Sequence, residues 1–241
     1  FQLIERALKI SKLTQGAFDI SYASMDRIWK FDGSVTEMPP VEVIKQSVSK
    51  VGYQNIVLNH KEQTVFLKNK GMKIGFGAIG KGYAADKAKE LLVKRGVGSG
   101  IINASGDLNA WGAQTDGRDW MVAIVNPLNK NKVFSWLPIK DQAVVTSGNY
   151  EKYIILNGER YTHIIDPRTG YPSKGILSAT VFTNNAELAD ALATSIFVMG
   201  VETGLDFVNQ LKGVECIIVN EDNKIITSKN IALKEIETQS R

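Results

Sequence analysis

Leu3, Ile4, Ala7 and Leu8 recur at helical spacing and Gly16 follows as a stop, so the chain opens on a helix within residues 1–14. The next stretch runs from Gly16-Ala17-Phe18-Asp19 to Trp29-Lys30-Phe31-Asp32-Gly33. It mixes aromatic and polar residues without a clean period and reads as loop with short helical pieces. Pro39-Pro40 opens a second helix, with Val41, Ile44, Val48 and Val51 on one face and Gly52 at its end. Short strands are expected at Asn55–Leu58 and Thr64–Leu67. A third apolar piece, Met72–Phe76, leads into a glycine-rich loop. A long helix follows, with Ala84, Ala88, Leu91, Leu92 and Arg95 on one side and Gly96 suited to its C-terminal cap.

From Gly100 to Ile165 the pattern turns to β. Strands are expected at Ile101–Asn103, Leu108–Trp111, Trp120–Val125, Val133–Leu137, Ala143–Val145, Lys152–Leu156 and Tyr161–Ile165. Asn157-Gly158 is the strongest hairpin signal in the chain. Another strand, Ser178–Phe182, leads to a helix with Asn184 as N-cap, Glu187 in capping-box position and Gly200 as its stop. A shorter helix, Leu205–Lys212, precedes a last hairpin, Glu215–Val219 with Lys224–Thr227. Strands cluster rather than alternate with helices, which predicts an α+β fold of mostly antiparallel sheets packed with several helices. No repeat, low-complexity segment or linker divides the 241 residues, so 1–241 reads as one domain.

Composition narrows the partners more than the fold. Lys and Arg number 29 against 25 Asp and Glu, a net charge of +4 with no basic run, so nucleic acid is not expected as a partner. The longest stretch without Asp, Glu, Lys or Arg is Gly175–Ala186, 12 residues, too short to span a membrane. The single cysteine, Cys216, lies in the apolar run Val214–Val219 and reads as a buried strand residue rather than a nucleophile. Phe1 falls in what reads as mid-helix, so further sequence is expected upstream.

Four segments carry candidate chemistry. The first, Gly75-Phe76-Gly77-Ala78-Ile79-Gly80-Lys81-Gly82, places glycines and one cation between a strand and a helix. Gly75 and Lys81 could there meet a phosphate, or the segment could be a tight turn without ligand. It lacks the Gly-Lys-Ser/Thr ending of a Walker loop. The second, Asp190-Ala191-Leu192-Ala193-Thr194, sets a carboxylate and a hydroxyl one helical turn apart on one face. They could share a hard cation such as Mg²⁺, or be a solvated Asp and a back-bonded Thr. The third, Tyr161–Pro172, delivers His163 to a turn rich in Asp, Pro, Arg and Gly, and His163 is the one good imidazole for acid–base work, since His60 sits in a polar hairpin. Asp166 could orient that ring or bond only to its own turn. The fourth is a pair of small-residue loops, Asn103–Asp107 and Thr146–Tyr150, whose hydroxyls, including Thr146 and Ser147, could face a phosphate or be ordinary turn residues.

Taken in order, these pieces resemble one family. Gly16–Asp19, Gly77–Ala84, Asn103–Asp107, Thr146–Tyr150, His163–Pro172 and Asp190–Thr194 are similar to six ordered motifs of the ApbE family of flavin transferases, over about residues 14 to 200. The resemblance implies transfer of FMN from FAD to a threonine hydroxyl of an acceptor protein, with release of AMP. It implies that Mg²⁺ is held by the Ala78 carbonyl, Asp190 and Thr194. It places Ala17, Phe18 and Asp19 against FAD and His163-Ile164 beside the flavin, with His163 and Asp190 at the reacting phosphate. This chain has Gly75 where many members have Asp, Gly80 where many have Ala, and Thr162 where many have His. Members usually carry an N-terminal portion that also touches FAD, and in Gram-positive bacteria they are typically exported lipoproteins. A location outside the cytoplasm, anchored to the outer face of the membrane by an upstream lipid, is therefore expected. Hydrolysis of FAD to free FMN and AMP, or FAD storage without chemistry, are the alternatives. The paired Asp190 and Thr194 favour catalysis over storage.

Overall fold

Strand Ile176–Thr183 is buried along its whole length because sheet neighbours flank it and a layer covers each face. The computed structural model describes residues 1–32, 34–126, 129–148 and 153–231. Among these described residues are five α-helices, α1 (Gln2–Leu13), α2 (Val41–Ser47), α3 (Gly80–Lys94), α4 (Ala186–Met199) and α5 (Val201–Val208). The strands are β1 (Ile56–Asn59), β2 (Thr64–Leu67), β3 (Gly100–Ala104), β4 (Asp107–Trp111), β5 (Trp120–Asn126) and β6 (Asn129–Ile139). They continue with β7 (Ala143–Gly148), β8 (Tyr153–Leu156), β9 (Glu159–Thr162), β10 (Ile176–Thr183), β11 (Glu215–Asn220) and β12 (Ile225–Thr227). Six of them form an antiparallel sheet in the order β12-β11-β10-β7-β4-β3. The pairs β1-β2, β5-β6 and β8-β9 stand as separate hairpins. This is the α+β arrangement expected.

The period of two along the strands builds the two faces. Val145, Val181 and Ile218 point to one side, where Leu192, Ala193, Ile196 and Phe197 of α4 pack with Ala85 of α3 and Val208 of α5. Their neighbours Val144, Phe182 and Ile217 point to the other side, against Val122, Ile124 and Ile139 of the β5–β6 hairpin. A third cluster joins α1 to Phe18, Ile20, Ile56, Met72 and Ile79, and reaches Ala191 of α4. A fourth gathers Trp29, Ile44, Ile154, Leu156 and Tyr161 around the β8–β9 hairpin. Trp29 stacks on Tyr161 at 6.2 Å between ring centroids.

Local chemistry moved several boundaries. Met72–Phe76 is not a strand; the Gly75 N–H donates to the Ile20 carbonyl at 2.8 Å, which ties the segment to a 3₁₀ turn at Ile20–Ser24 instead of a sheet. The N-cap of α4 is Asn185, not Asn184, its side chain accepting from Leu188 N at 2.8 Å. With Asn185 as N-cap the capping-box position falls on Leu188 rather than Glu187, whose carboxylate instead accepts from Arg6 of α1 at 2.6 and 2.7 Å. β9 ends at Thr162, whose hydroxyl accepts from Ile164 N at 3.2 Å and bends the chain before Ile165. The second short helix starts at once after Gly200, whose φ of 82° breaks α4 from α5. Lys152, Asn149 and Tyr150, expected in a strand and a loop, lie outside the described residues.

Candidate active site

Asp190 is the centre of the site, and its position follows from how α3 meets α4. A methyl group on Gly82 would stand 2.1 Å from the Ala186 carbonyl oxygen, so only glycine lets the start of α3 approach α4 this closely. That approach brings the Gly82 N–H to Asp190 Oδ2 at 3.2 Å. One turn along, the Asp86 carboxylate of α3 accepts from the Ala186 and Glu187 N–H groups, both at 2.9 Å, and satisfies the N-terminus of α4. Asp190 is 3 % exposed. Burial, and then the facing carboxylate of Asp107, push its pKa up to about 7, opposed by Lys81 and the Gly82 N–H. A buried carboxylate so placed is short of positive charge.

A cavity of about 780 Å³ opens over this point. Ala17, Phe18, Asp19, Ala78, Lys81, Thr146, Ser147, His163, Ile164, Asp190 and Thr194 all line it. They come from five separate places in the chain. Lys81 reaches Asp107 Oδ1 at 2.5 Å, so its charge is shared with a protein carboxylate. Ser147 Oγ, at the end of β7, lies 3.5 Å from Thr194 Oγ1, and Thr146 Oγ1 lies 2.9 Å from Thr180 Oγ1. His163 is exposed in the cavity wall with Phe31 edge-on at 6.4 Å.

Three residues in and around the cavity have a structural task. Asp19 Oδ1 accepts from Ser21 N at 2.7 Å and Ser21 Oγ at 2.6 Å, and its Oδ2 accepts from Tyr53 N at 2.7 Å. Burial raises its pKa against the pull of those donors. Its carboxylate thus pins the loop that presents Ala17 and Phe18. Asp166 accepts from Arg168 Nε at 2.9 Å and Nη2 at 2.8 Å, so it serves its own turn. Gly75 lies outside the cavity lining; a methyl group there would stand 3.0 Å from Tyr22 Oη and from Ala23 Cβ. Its small size makes room for Tyr22, whose hydroxyl also accepts from Gly77 N at 3.2 Å.

Six further lining residues, Tyr22, Ala23, Met25, Asp26, Arg27 and Trp29, come from the aperiodic stretch before α2. The mixture of aromatic and charged residues there was the available signal, without a motif to single them out.

A model of the ApbE family matches residues 1–218. The chain belongs to the ApbE family. It is 31 % identical over 230 residues to the FAD:protein FMN transferase of Klebsiella pneumoniae (strain 342), covering 95 % of this chain and 71 % of that one. The crystal structure of the ApbE protein of Thermotoga maritima superposes with a TM-score of 0.83 at 34 % identity, covering 95 % of this chain and 75 % of that one. The apo flavinyl transferase ApbE of Pseudomonas stutzeri gives a TM-score of 0.81 at 27 % identity, covering 94 % and 71 %. The ordered motifs that mark this ApbE chain in sequence are therefore the segments that fold around one cavity. Oxygen donors cluster in its wall, the Asp190 carboxylate with the Thr194 and Ser147 hydroxyls, and behind Asp190 the buried Asp107 carboxylate, outside the lining itself, has one oxygen with no hydrogen-bond partner among the described residues. Such a set fits a hard divalent cation.

Proposed function

We propose that this protein transfers FMN from FAD to a threonine hydroxyl of an acceptor protein and releases AMP, in a reaction that depends on a divalent cation such as Mg²⁺. The observation that carries this reading is the single cavity that collects a charge-deficient buried carboxylate, Asp190, with Thr194 and the imidazole of His163. Asp190, Thr194 and the Ala78 carbonyl would hold the cation, which when bound neutralises the pyrophosphate and the charge developing on AMP. The names of the family relatives support FAD as the substrate and a protein as the acceptor.

The chemistry follows from what the residues can do. The threonine oxygen forms a bond to the FMN phosphorus while the bond from that phosphorus to the bridging oxygen breaks, and AMP leaves with that oxygen. The threonine proton must go elsewhere as attack proceeds. His163 lines the cavity and carries an imidazole, whose ordinary pKa lies near neutrality, so it takes the proton. Asp190 is a poor rival, because a carboxylate bound to a cation is held ionised. Ala17, Phe18 and Ile164 supply apolar walls for the flavin, and the start of α3 with Lys81 faces the phosphates.

The test incubates FAD, Mg²⁺ and an acceptor protein with a flavinylation threonine, and reads acceptor mass, AMP and free FMN. Transfer predicts a mass gain equal to FMN less one water with one AMP released per modified acceptor. Free FMN and AMP with an unmodified acceptor would establish hydrolysis instead. Asp190→Ala is expected to abolish turnover at limiting Mg²⁺ while the protein stays folded by circular dichroism. Wild-type turnover in that variant would remove Asp190 from the cation site. On the family resemblance we place the reaction outside the cytoplasm, with an upstream lipid anchor, and fractionation of cells producing the full-length protein tests this.

A further inference from the structure

Asp107 is absent from the set that sequence reasoning assigned to the site. The structure brings it there through a tight turn. Asn103 Oδ1 accepts from Gly106 N at 2.8 Å, and Ser105 and Gly106 both hold positive φ, 53° and 99°. This two-residue hairpin between β3 and β4 makes Asp107 the first residue of β4, beside the start of α3. Its side chain is 1 % exposed. Oδ1 receives the Lys81 ammonium at 2.5 Å. Oδ2 is buried without a hydrogen-bond partner among the described residues, and the carboxylate faces that of Asp190.

Two ionised carboxylates only accept hydrogen bonds and cannot satisfy each other. Something positive must stand between them. Lys81 acts on both, and its ammonium is engaged with Asp107 Oδ1. With both carboxylates ionised, the charges of Asp107, Asp190 and Lys81 sum to −1, and a pyrophosphate entering the cavity makes the balance more negative. A divalent cation shared by the two carboxylates removes the deficit, whereas a shared proton leaves the pyrophosphate uncompensated.

We propose that Asp107 supplies the second carboxylate of the cation site, its Oδ2 joining Asp190 and Thr194 around the ion. This rests on the cation-dependent reading above. On it, the Asn-x-x-Gly-Asp segment has a physical meaning: Asn103 and Gly106 shape a turn whose product is a buried ligand.

The test measures Mn²⁺ binding by electron paramagnetic resonance, with and without FAD, to the wild type, Asp107→Asn, Asp190→Asn and Lys81→Met. Asp107→Asn keeps an oxygen for Lys81 but turns a donor or a neutral oxygen toward the ion. It is expected to weaken Mn²⁺ by about 10-fold to 100-fold, the usual effect of altering a partner at a metal site. Lys81→Met keeps both carboxylates and, measured without FAD, is expected to bind Mn²⁺ at least as tightly as the wild type. Unchanged affinity in Asp107→Asn alongside loss in Asp190→Asn would overturn the proposal and leave a shared proton between the carboxylates. Equal losses in Asp107→Asn and Lys81→Met would also overturn it, making Asp107 an anchor for Lys81. No Mn²⁺ on the wild type, with or without FAD, would fell the cation-dependent reading and this one with it. Because Asp107→Asn removes a buried charge and could unfold the chain, infrared difference spectra of the unmodified protein provide a second reading. Mg²⁺ addition should shift the carboxylate stretches of two aspartates, and a shift of one alone counts against Asp107.

Discussion

The two histidines of the chain divide their tasks by position. His60 packs edge-on against Phe1 at 5.4 Å, far in chemistry from the cavity, while His163 lines it. His163→Ala is expected to slow single-turnover transfer by about 10²-fold or more, the usual range for losing a general base, while FAD still binds. Transfer and FAD affinity are to be measured separately; unchanged transfer would place the base elsewhere. The question that sequence left open about Asp166 is answered by Arg168, which occupies both of its oxygens. Cys216 shows how burial sets reactivity at the same scale. It is 0 % exposed, and burial followed by the neighbouring Glu215 charge pushes its pKa from the ordinary 9.0 up to about 12. The thiolate is the reactive form, so the native protein is expected to resist thiol reagents at pH 8 and to react once unfolded. The folded pKa is the higher one, so the native state holds the proton longer. The associated stability is intact below about pH 9 and declines toward pH 12. Denaturant midpoints across that window should fall less steeply in Cys216→Ala than in the wild type.

At the scale of elements, the α3–α4 crossing is the joint that positions the site. Gly82→Ala drives a methyl group into the Ala186 carbonyl, which is backbone and cannot swing away. Overpacking of this kind costs about 1–3 kcal/mol. It also pushes the Gly82 N–H off Asp190, so Mn²⁺ affinity should drop with stability. Asp86→Ala strips the N-terminus of α4 of its acceptors and should cost about 1–2 kcal/mol without touching the cavity lining. Chemical denaturation of the two variants, with Mn²⁺ affinity alongside, separates the joint from the cap; equal cation loss in both would refute that division. Much of this architecture was legible beforehand. β1, β2, α3 and the Asn157-Gly158 hairpin stand close to where periodicity and turn residues put them, because their signals are local. The Gly-rich segment was legible as a special turn, but its reasons were not. Gly75 and Gly77 make room for Tyr22, and Gly82 for Ala186, neighbours 52 or more positions away in the chain. The segment Asn103–Asp107 was singled out, but its Asp107 carboxylate was given no role for the same cause. An Asp after a hairpin turn ordinarily faces water, and only the approach of α3 to β4 buries it.

At the scale of the molecule, the cavity wall runs from Ala17 to Thr194, and its parts belong to different core clusters. Phe18 packs with α1, Trp29 with the β8–β9 hairpin, and Asp190 rides on the helix that covers the sheet. A ligand that touches all of them can form its full set of contacts only when these clusters are assembled together. Binding should therefore raise the stability of the whole native state by RT ln(1 + [L]/Kd), about 2.7 kcal/mol at a ligand concentration of 100 times Kd. For a chain of this size each kcal/mol moves the melting temperature by about 2–4 °C, so FAD with Mg²⁺ should raise it by about 5–11 °C. A cation held as proposed by Asp190 and Thr194 would tie the phosphates to α4, so FAD without Mg²⁺ should raise it less, and Mg²⁺ alone should act weakly. In Asp190→Ala the Mg²⁺-dependent part of the shift should vanish while a part owed to the flavin walls remains. Differential scanning fluorimetry with FAD fluorescence subtracted, or calorimetry, measures all four conditions. Equal shifts with and without Mg²⁺ in the wild type would mean that FAD is held without a bridging cation.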